Sequence, residues 1–144
     1  MAEARAGVLY ADTSALVKLV IREAESDALE SALTGWPAFA TSTITAIELT
    51  RAVARARAEA GILVADDWTV LSVLAATAEI PLTDEIRTAA ARLAPVELRT
   101  LDAIHLASAL TLGDEFAGVL TYDERMQHAA VTNGLNFVAP ASTS

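Results

Sequence analysis

The sequence predicts an α/β fold: a three-layer α/β/α sandwich built on a short parallel sheet. Three observations predict it. Short apolar runs alternate with longer helical stretches, the order that builds parallel sheets covered on both faces. Two of those runs, Gly7-Val8-Leu9-Tyr10-Ala11 and Gly118-Val119-Leu120-Thr121-Tyr122, each deliver an aspartate, Asp12 and Asp123, just before a helical stretch. Alanine supplies much of the 53% hydrophobic content, and alanine favours helix.

The elements follow in order. Gly7 to Ala11 is the first strand, and Ala15 to Ile21 a short helix. Glu23 to Leu33 is a second helix, ended by Thr34-Gly35-Trp36-Pro37, a Gly and Pro stop. Ala38 to Thr41 is a short strand. Ala46 to Ala60 is a long helix closed by Gly61, and Leu63 to Thr77 is another, so the two form a helical hairpin inserted between strands. Glu79 to Leu82 is a strand before the helix Asp84 to Leu93. Leu101 to Leu112 is a helix stopped by Gly113; Gly118 to Leu120 is a strand. A helix from Asp123 to Val131, a turn at Asn133-Gly134 and a last strand at Asn136 to Val138 complete the pattern. Residues 1–140 form one domain on this reading, and 141–144 a loose tail.

At 144 residues a single domain can bury a proper core. The positive mean hydropathy excludes a disordered chain. No charge-free run of about 18 apolar residues suggests a membrane span. The N-terminus lacks the layout of a signal peptide, so a cytoplasmic location is expected. There are no cysteines, which excludes disulfides, thiolate catalysis and Cys-type zinc sites. The net charge is −9, which opposes indiscriminate nucleic-acid binding and suits a cation or a basic partner protein.

Four acids stand out: Asp12, Glu48, Asp102 and Asp123. Each has a structural role open to it. Asp12 can cap the helix after it. Thr45-Ala46-Ile47-Glu48 and Thr121-Tyr122-Asp123-Glu124 match capping boxes. Asp102 follows a candidate Thr100 cap, where negative charge suits the helix dipole. Context points further. Glu48 and Asp102 sit in strongly apolar helices, where an acid is costly without a cation or donors. No Lys or Arg lies on the predicted Asp102 helix, so a divalent metal at the sheet edge is the expected partner. Parallel strands would bring Asp12 and Asp123 to the same edge, the edge where open α/β sheets bind ligands. Carboxylates without Cys favour Mg²⁺ or Mn²⁺ over Zn²⁺.

Ser14 and Thr121 are close enough in sequence to orient these acids, or to cap helices instead. His105 is three residues beyond Asp102. The reading favours a core histidine bonded to a backbone carbonyl over a donor to the acids. His128 reads as surface, and Asp66-Asp67, Asp84-Glu85 and Asp114-Glu115 as helix-start or loop acids. Arg51 and Arg55, one and two turns beyond Glu48, are candidate phosphate contacts or surface ion-pair residues.

The chain resembles the PIN-domain family, and within it the VapC-type toxins of toxin–antitoxin pairs. Four segments carry the resemblance: Tyr10 to Lys18, Ile44 to Leu49, Leu98 to Ala107 and Leu120 to Met126. The resemblance implies that Asp12, Glu48, Asp102 and Asp123 bind Mg²⁺ or Mn²⁺. It implies an endoribonuclease acting on single-stranded or looped RNA, for which the expected mechanism is in-line attack of a metal-activated water on the phosphodiester. It also implies a homodimer and a small basic antitoxin that fills the acidic groove. A different reading is a non-catalytic module whose acidic groove only binds a basic partner. A dehalogenase-like fold would place Asp-x-Asp after the first strand, where this chain has Asp12-Thr13-Ser14. A receiver domain needs a late lysine, and the only lysine is Lys18.

Overall fold

The computed structural model of the chain describes residues 5–141. Its first strand, β1 (Val8–Ala11), is the centre of a five-stranded parallel sheet. On one side lie β2 (Ala38–Ser42) and then β3 (Ala78–Ile80); on the other lie β4 (Phe116–Leu120) and then β5 (Phe137–Val138). The chain thus winds outward from β1 in one direction, then restarts on the opposite side with β4. That reversal makes the β1–β4 boundary the topological switch point, where α/β sheets form their crevice. The register sets Ala11 beside Leu120, and Asp12 N–H extends the ladder to the Leu120 carbonyl at 3.1 Å.

The alternation of strand side chains divides the core in two. Ala11 and Leu120 face α1 (Thr13–Val20), α2 (Ser26–Leu33), α3 (Ile44–Arg57) and α4 (Asp67–Ala75), packing with Leu16, Leu29, Leu49 and Val70. Tyr10 and Val119, one residue earlier on each strand, face the other way. They pack with Leu106 and Ala109 of α6 (Thr100–Leu110) and Met126 and Ala129 of α7 (Glu124–Thr132). The short α5 (Asp84–Ala90) packs against α6. Helices therefore cover both faces, as the predicted sandwich requires. Among the described residues no helix is long and apolar enough to cross a membrane.

Several boundaries differ from the predicted ones for local reasons. The helix expected from Leu63 begins only at Asp67, because Val64 is taken by an antiparallel bridge to Ile21 and Asp66 then caps the helix by accepting from Thr69 N–H at 2.8 Å. The helix expected from Glu23 begins at Ser26. Glu23 and Glu25 instead bind Lys18 Nζ at 2.7 and 3.0 Å. Helix α5 stops at Ala90, three residues short of the expected Leu93. Helix α3 starts at Ile44, two residues earlier than expected. Of the expected tail, residues 142–144 lie outside the described residues.

Candidate active site

The carboxyl ends of β1 and β4 open onto a cavity of about 390 Å³. All four singled-out acids line it: Asp12 from the end of β1, Glu48 from α3, Asp102 from α6 and Asp123 from the start of α7. Thr13, Ser14, Arg99, Leu101 and His105 complete most of the wall. Among the described residues no group of three or more His, Cys, Asp or Glu side chains is gathered tightly enough to hold a metal ion by itself.

Asp12 is the most buried of the acids, at 4% exposure. It caps α1 by accepting from Ala15 N–H at 3.1 Å, so the structural role and the place in the cavity coexist. Ser14 Oγ donates to its Oδ1 at 2.6 Å, and Thr121 Oγ1 donates to its Oδ2. The same hydroxyls receive backbone donors from the residues that follow β4: Tyr122 N–H on Ser14 at 3.1 Å, across the strand boundary, and Asp123 N–H on Thr121 at 3.2 Å, within the same turn. Ser14 and Thr121 thus tie the ends of β1 and β4 together through Asp12. Burial pushes the Asp12 carboxyl above the ordinary aspartate range, against the opposing pull of these donors.

Glu48 is not held as expected. With Ile44 opening α3, Thr45 falls inside the first turn, fully buried with its hydroxyl 2.6 Å from that of Thr41, and no capping box forms. Glu48 faces the cavity instead. Thr13 Oγ1 donates to its Oε1 at 2.7 Å, and His105 Nε2 lies 2.7 Å from the same oxygen. Burial alone would raise the Glu48 carboxyl, but the His105 and Thr13 hydrogen bonds outweigh it and hold the group below the ordinary glutamate range.

His105 corrects the sequence reading. It is buried, but its partners are Glu48 and the Tyr10 hydroxyl, 2.7 Å from Nδ1, rather than a backbone carbonyl. Burial and then the charge of Asp12 raise the Tyr10 hydroxyl far above its ordinary range, so it stays protonated and donates to Nδ1. With the Tyr10 hydroxyl donating to Nδ1, Nε2 is the ring nitrogen left to donate to Glu48.

Asp102 has a cationic neighbour after all. Arg99 occupies the N-cap of α6, ahead of the predicted helix start, and its Nε lies 3.7 Å from Asp102 Oδ2. Thr100, the expected cap, is the first helical residue. The contact is long and solvent-facing. Burial, then repulsion from Asp123, holds the Asp102 carboxyl above its ordinary range. Asp123 itself caps α7, accepting from Arg125 N–H at 2.8 Å and Met126 N–H at 3.4 Å; the cap expected at Thr121 is therefore Asp123.

Arg51 and Arg55 are exposed on α3 and do not line the cavity. Asp66 and the first-turn acids Asp67 and Asp84 sit at helix starts away from it, and Asp114-Glu115 lie in a 3₁₀ turn. The sequence reading missed Tyr10, Thr13 and Arg99 as members of the site. Arg99 carried a signal, the i, i+3 spacing to Asp102.

The family profile described as PIN domain matches residues 9–131. The chain is 39% identical to Ribonuclease VapC46 of Mycobacterium tuberculosis (strain ATCC 25618 / H37Rv), over 92% of this chain and 98% of that one. It is 41% identical to Ribonuclease VapC35 of Mycobacterium tuberculosis (strain CDC 1551 / Oshkosh), over 92% and 97%. Among solved structures it is similar to Mycobacterium tuberculosis VapC20, described as a Sarcin-Ricin loop cleaving toxin. The TM-score is 0.67 at 15% identity, covering 92% of this chain and 99% of that one. A toxin–antitoxin complex from Klebsiella pneumoniae aligns with TM-score 0.62 at 21% identity, covering 83% and 89%. The profile match over most of the chain, together with VapC relatives alignable almost end to end, establishes that this chain belongs to the PIN-domain family.

Proposed function

We propose that the protein is a metal-dependent endoribonuclease and the toxin of a toxin–antitoxin pair. The observation that carries this reading is the meeting of four carboxylates in one cavity at the β1–β4 switch point, in a chain about 40% identical to proteins named ribonucleases.

The donor set suits a hard divalent cation. Four carboxylates line the cavity, and Asp123 and Glu48 both repel the charge on Asp102. Such a set favours Mg²⁺ or Mn²⁺. Mg²⁺ takes one or two carboxylates directly and keeps several waters, which accords with acids that are not gathered tightly. Asp12, Asp102 and Asp123 would be its main holders, with Glu48 acting through water. When bound, the cation would acidify a water and neutralise charge on the phosphate oxygens.

The protein's own residues do the rest. Ser14 and Thr121 fix both oxygens of Asp12 in one orientation. His105 and Thr13 keep Glu48 ionised, so that it orients the attacking water. Water, not the ribose 2′-hydroxyl, is the nucleophile, attacking in line. The products would be a 5′-phosphate and a 3′-hydroxyl. Arg51 and Arg55, exposed on α3, would meet the RNA backbone outside the cavity. The net charge of −9 suits inhibition by a basic antitoxin segment that occupies the acidic groove of a cytoplasmic homodimer.

The test is cleavage of a mixed structured-RNA pool by purified protein with Mg²⁺ or Mn²⁺, with EDTA, and with folded Asp12→Asn and Asp102→Asn variants. Metal-dependent cleavage that both variants lose, leaving 5′-phosphate ends, is expected. Equal activity in the variants would overturn the reading, and 2′,3′-cyclic phosphate ends would overturn the nucleophile. Binding of a basic peptide without any turnover of RNA would favour the non-catalytic module instead.

A further inference from the structure

A second cavity, of about 480 Å³, adjoins the acid cavity and shares two of its walls, Arg99 and Asp102. We infer that it is the subsite for the nucleotide next to the scissile bond, with Arg125 meeting the phosphate and the floor of Leu98 and Pro95 meeting the base; this rests on the ribonuclease reading above.

The lining argues for a whole nucleotide. A bare phosphate track would be cationic throughout, whereas this cavity is mixed. Leu98 and Pro95 are half-buried and give a base an apolar surface. Arg125 and His128 also line it, from α7. Glu97 and Glu124 also line the cavity. Their carboxylates repel a second phosphate, but accept from the exocyclic amino groups of a base.

The arginines of this acidic chain sharpen the choice. Arg22, Arg57 and Arg87 are held in ion pairs on the surface, and Arg5 lies over Trp36. Among the described residues, the guanidinium of Arg125 has no ion pair, and it borders a cavity continuous with the acids. Arg51 and Arg55 line neither cavity. Arg99, shared by both, is positioned to contact the phosphate between the two cavities.

The experiment uses the full chain and two readouts. In EDTA, amide shifts are followed on adding adenosine 5′-monophosphate, the probe for a base plus a phosphate. Saturable shifts at Leu98, Arg99, Arg125 and His128 are expected. Arg125→Ala should weaken the binding roughly tenfold, the scale of one charge-assisted phosphate contact. Arg92→Ala makes the same charge change outside this cavity and should not. With RNA and metal, Arg125→Ala should raise KM by a similar factor and leave kcat near wild type. Arg125 is exposed on the first turn of α7, where alanine is a good helix former, so the variant should fold. Shifts confined to Asp12 and Ser14, or unchanged affinity and KM in Arg125→Ala, would overturn the subsite while wild-type cleavage left the ribonuclease reading intact. If wild type cleaved no RNA, that reading would fail, and saturable shifts lost in Arg125→Ala would still support a nucleotide site in this cavity.

Discussion

His105 joins Tyr10 to Glu48: its Nδ1 lies 2.7 Å from the Tyr10 hydroxyl and its Nε2 lies 2.7 Å from Glu48 Oε1. The three groups come from β1, α6 and α3, so one buried imidazole links an inner strand to the cavity wall. Tyr10→Phe removes the donor that fixes the ring and leaves Nδ1 unpartnered. Urea unfolding should show a loss of about 1–3 kcal/mol, the usual cost of orphaning a buried polar group. Long-range ¹H–¹⁵N spectra should show His105 protonated at Nε2 in wild type and mixed in the variant. A wild-type ring protonated at Nδ1 would contradict the assigned direction of the chain.

Asp102→Asn should stabilise the metal-free protein while removing cleavage. The Asp102 carboxyl is raised in the fold, by burial and then by Asp123. A raised folded value means that the folded state binds its proton more tightly than the unfolded chain does. That contribution to stability is complete below the ordinary aspartate range and is lost as pH rises through the folded value. Wild type and Asp102→Asn should therefore be similar in stability near pH 3.5, at the acid end of the ordinary aspartate range. They should diverge toward neutrality by about 0.5–2 kcal/mol, the common gain from relieving a strained functional group. Chemical denaturation at several pH values without metal measures this; equal stability at every pH would contradict it.

Metal should raise the melting temperature of wild type. A cation that binds only the folded state adds about 2.7 kcal/mol when present at 100 times its dissociation constant. For a chain of this size that is a rise of several degrees. Calorimetry with Mn²⁺ should show the rise, EDTA should reverse it, and Asp12→Asn should abolish most of it. An equal rise in the variant would place the ion elsewhere.

Gly7→Ala should destabilise the sheet entry. Gly7 has φ +92, which favours glycine, and an added Cβ would meet the Glu115 carbonyl oxygen at 2.8 Å, where β1 meets the turn before β4. The expected loss is about 1–3 kcal/mol by urea unfolding, with the cavity chemistry unchanged once the protein is folded. A loss of only a few tenths would show that the neighbouring turn yields.

Much of the fold was legible because it depends on local pattern. The apolar runs ending in Asp12 and before Asp123 located β1 and β4, and parallel pairing then required the two acids to share an edge. Glu48 and Asp102 were legible as acids in apolar helices. What could not be read depends on which face a residue presents and on what lies across it. Tyr10 and Ala11 point to opposite cores, so only the packed sheet shows that Tyr10, and not its neighbour, reaches His105. The Thr45 capping box failed because α3 begins two residues early, a shift that sequence propensity does not resolve. Arg99 was overlooked because it sits one residue ahead of the helix, at the cap.

The pairing of β1 with β4 also fixes a chronology. Asp12 is synthesised 109 residues ahead of Thr121, whose hydroxyl holds it, and well ahead of the strand beside it. Domains fold as units once their chain is available. A half-made chain therefore carries no complete acid set; the four carboxylates can meet only once synthesis has passed Asp123.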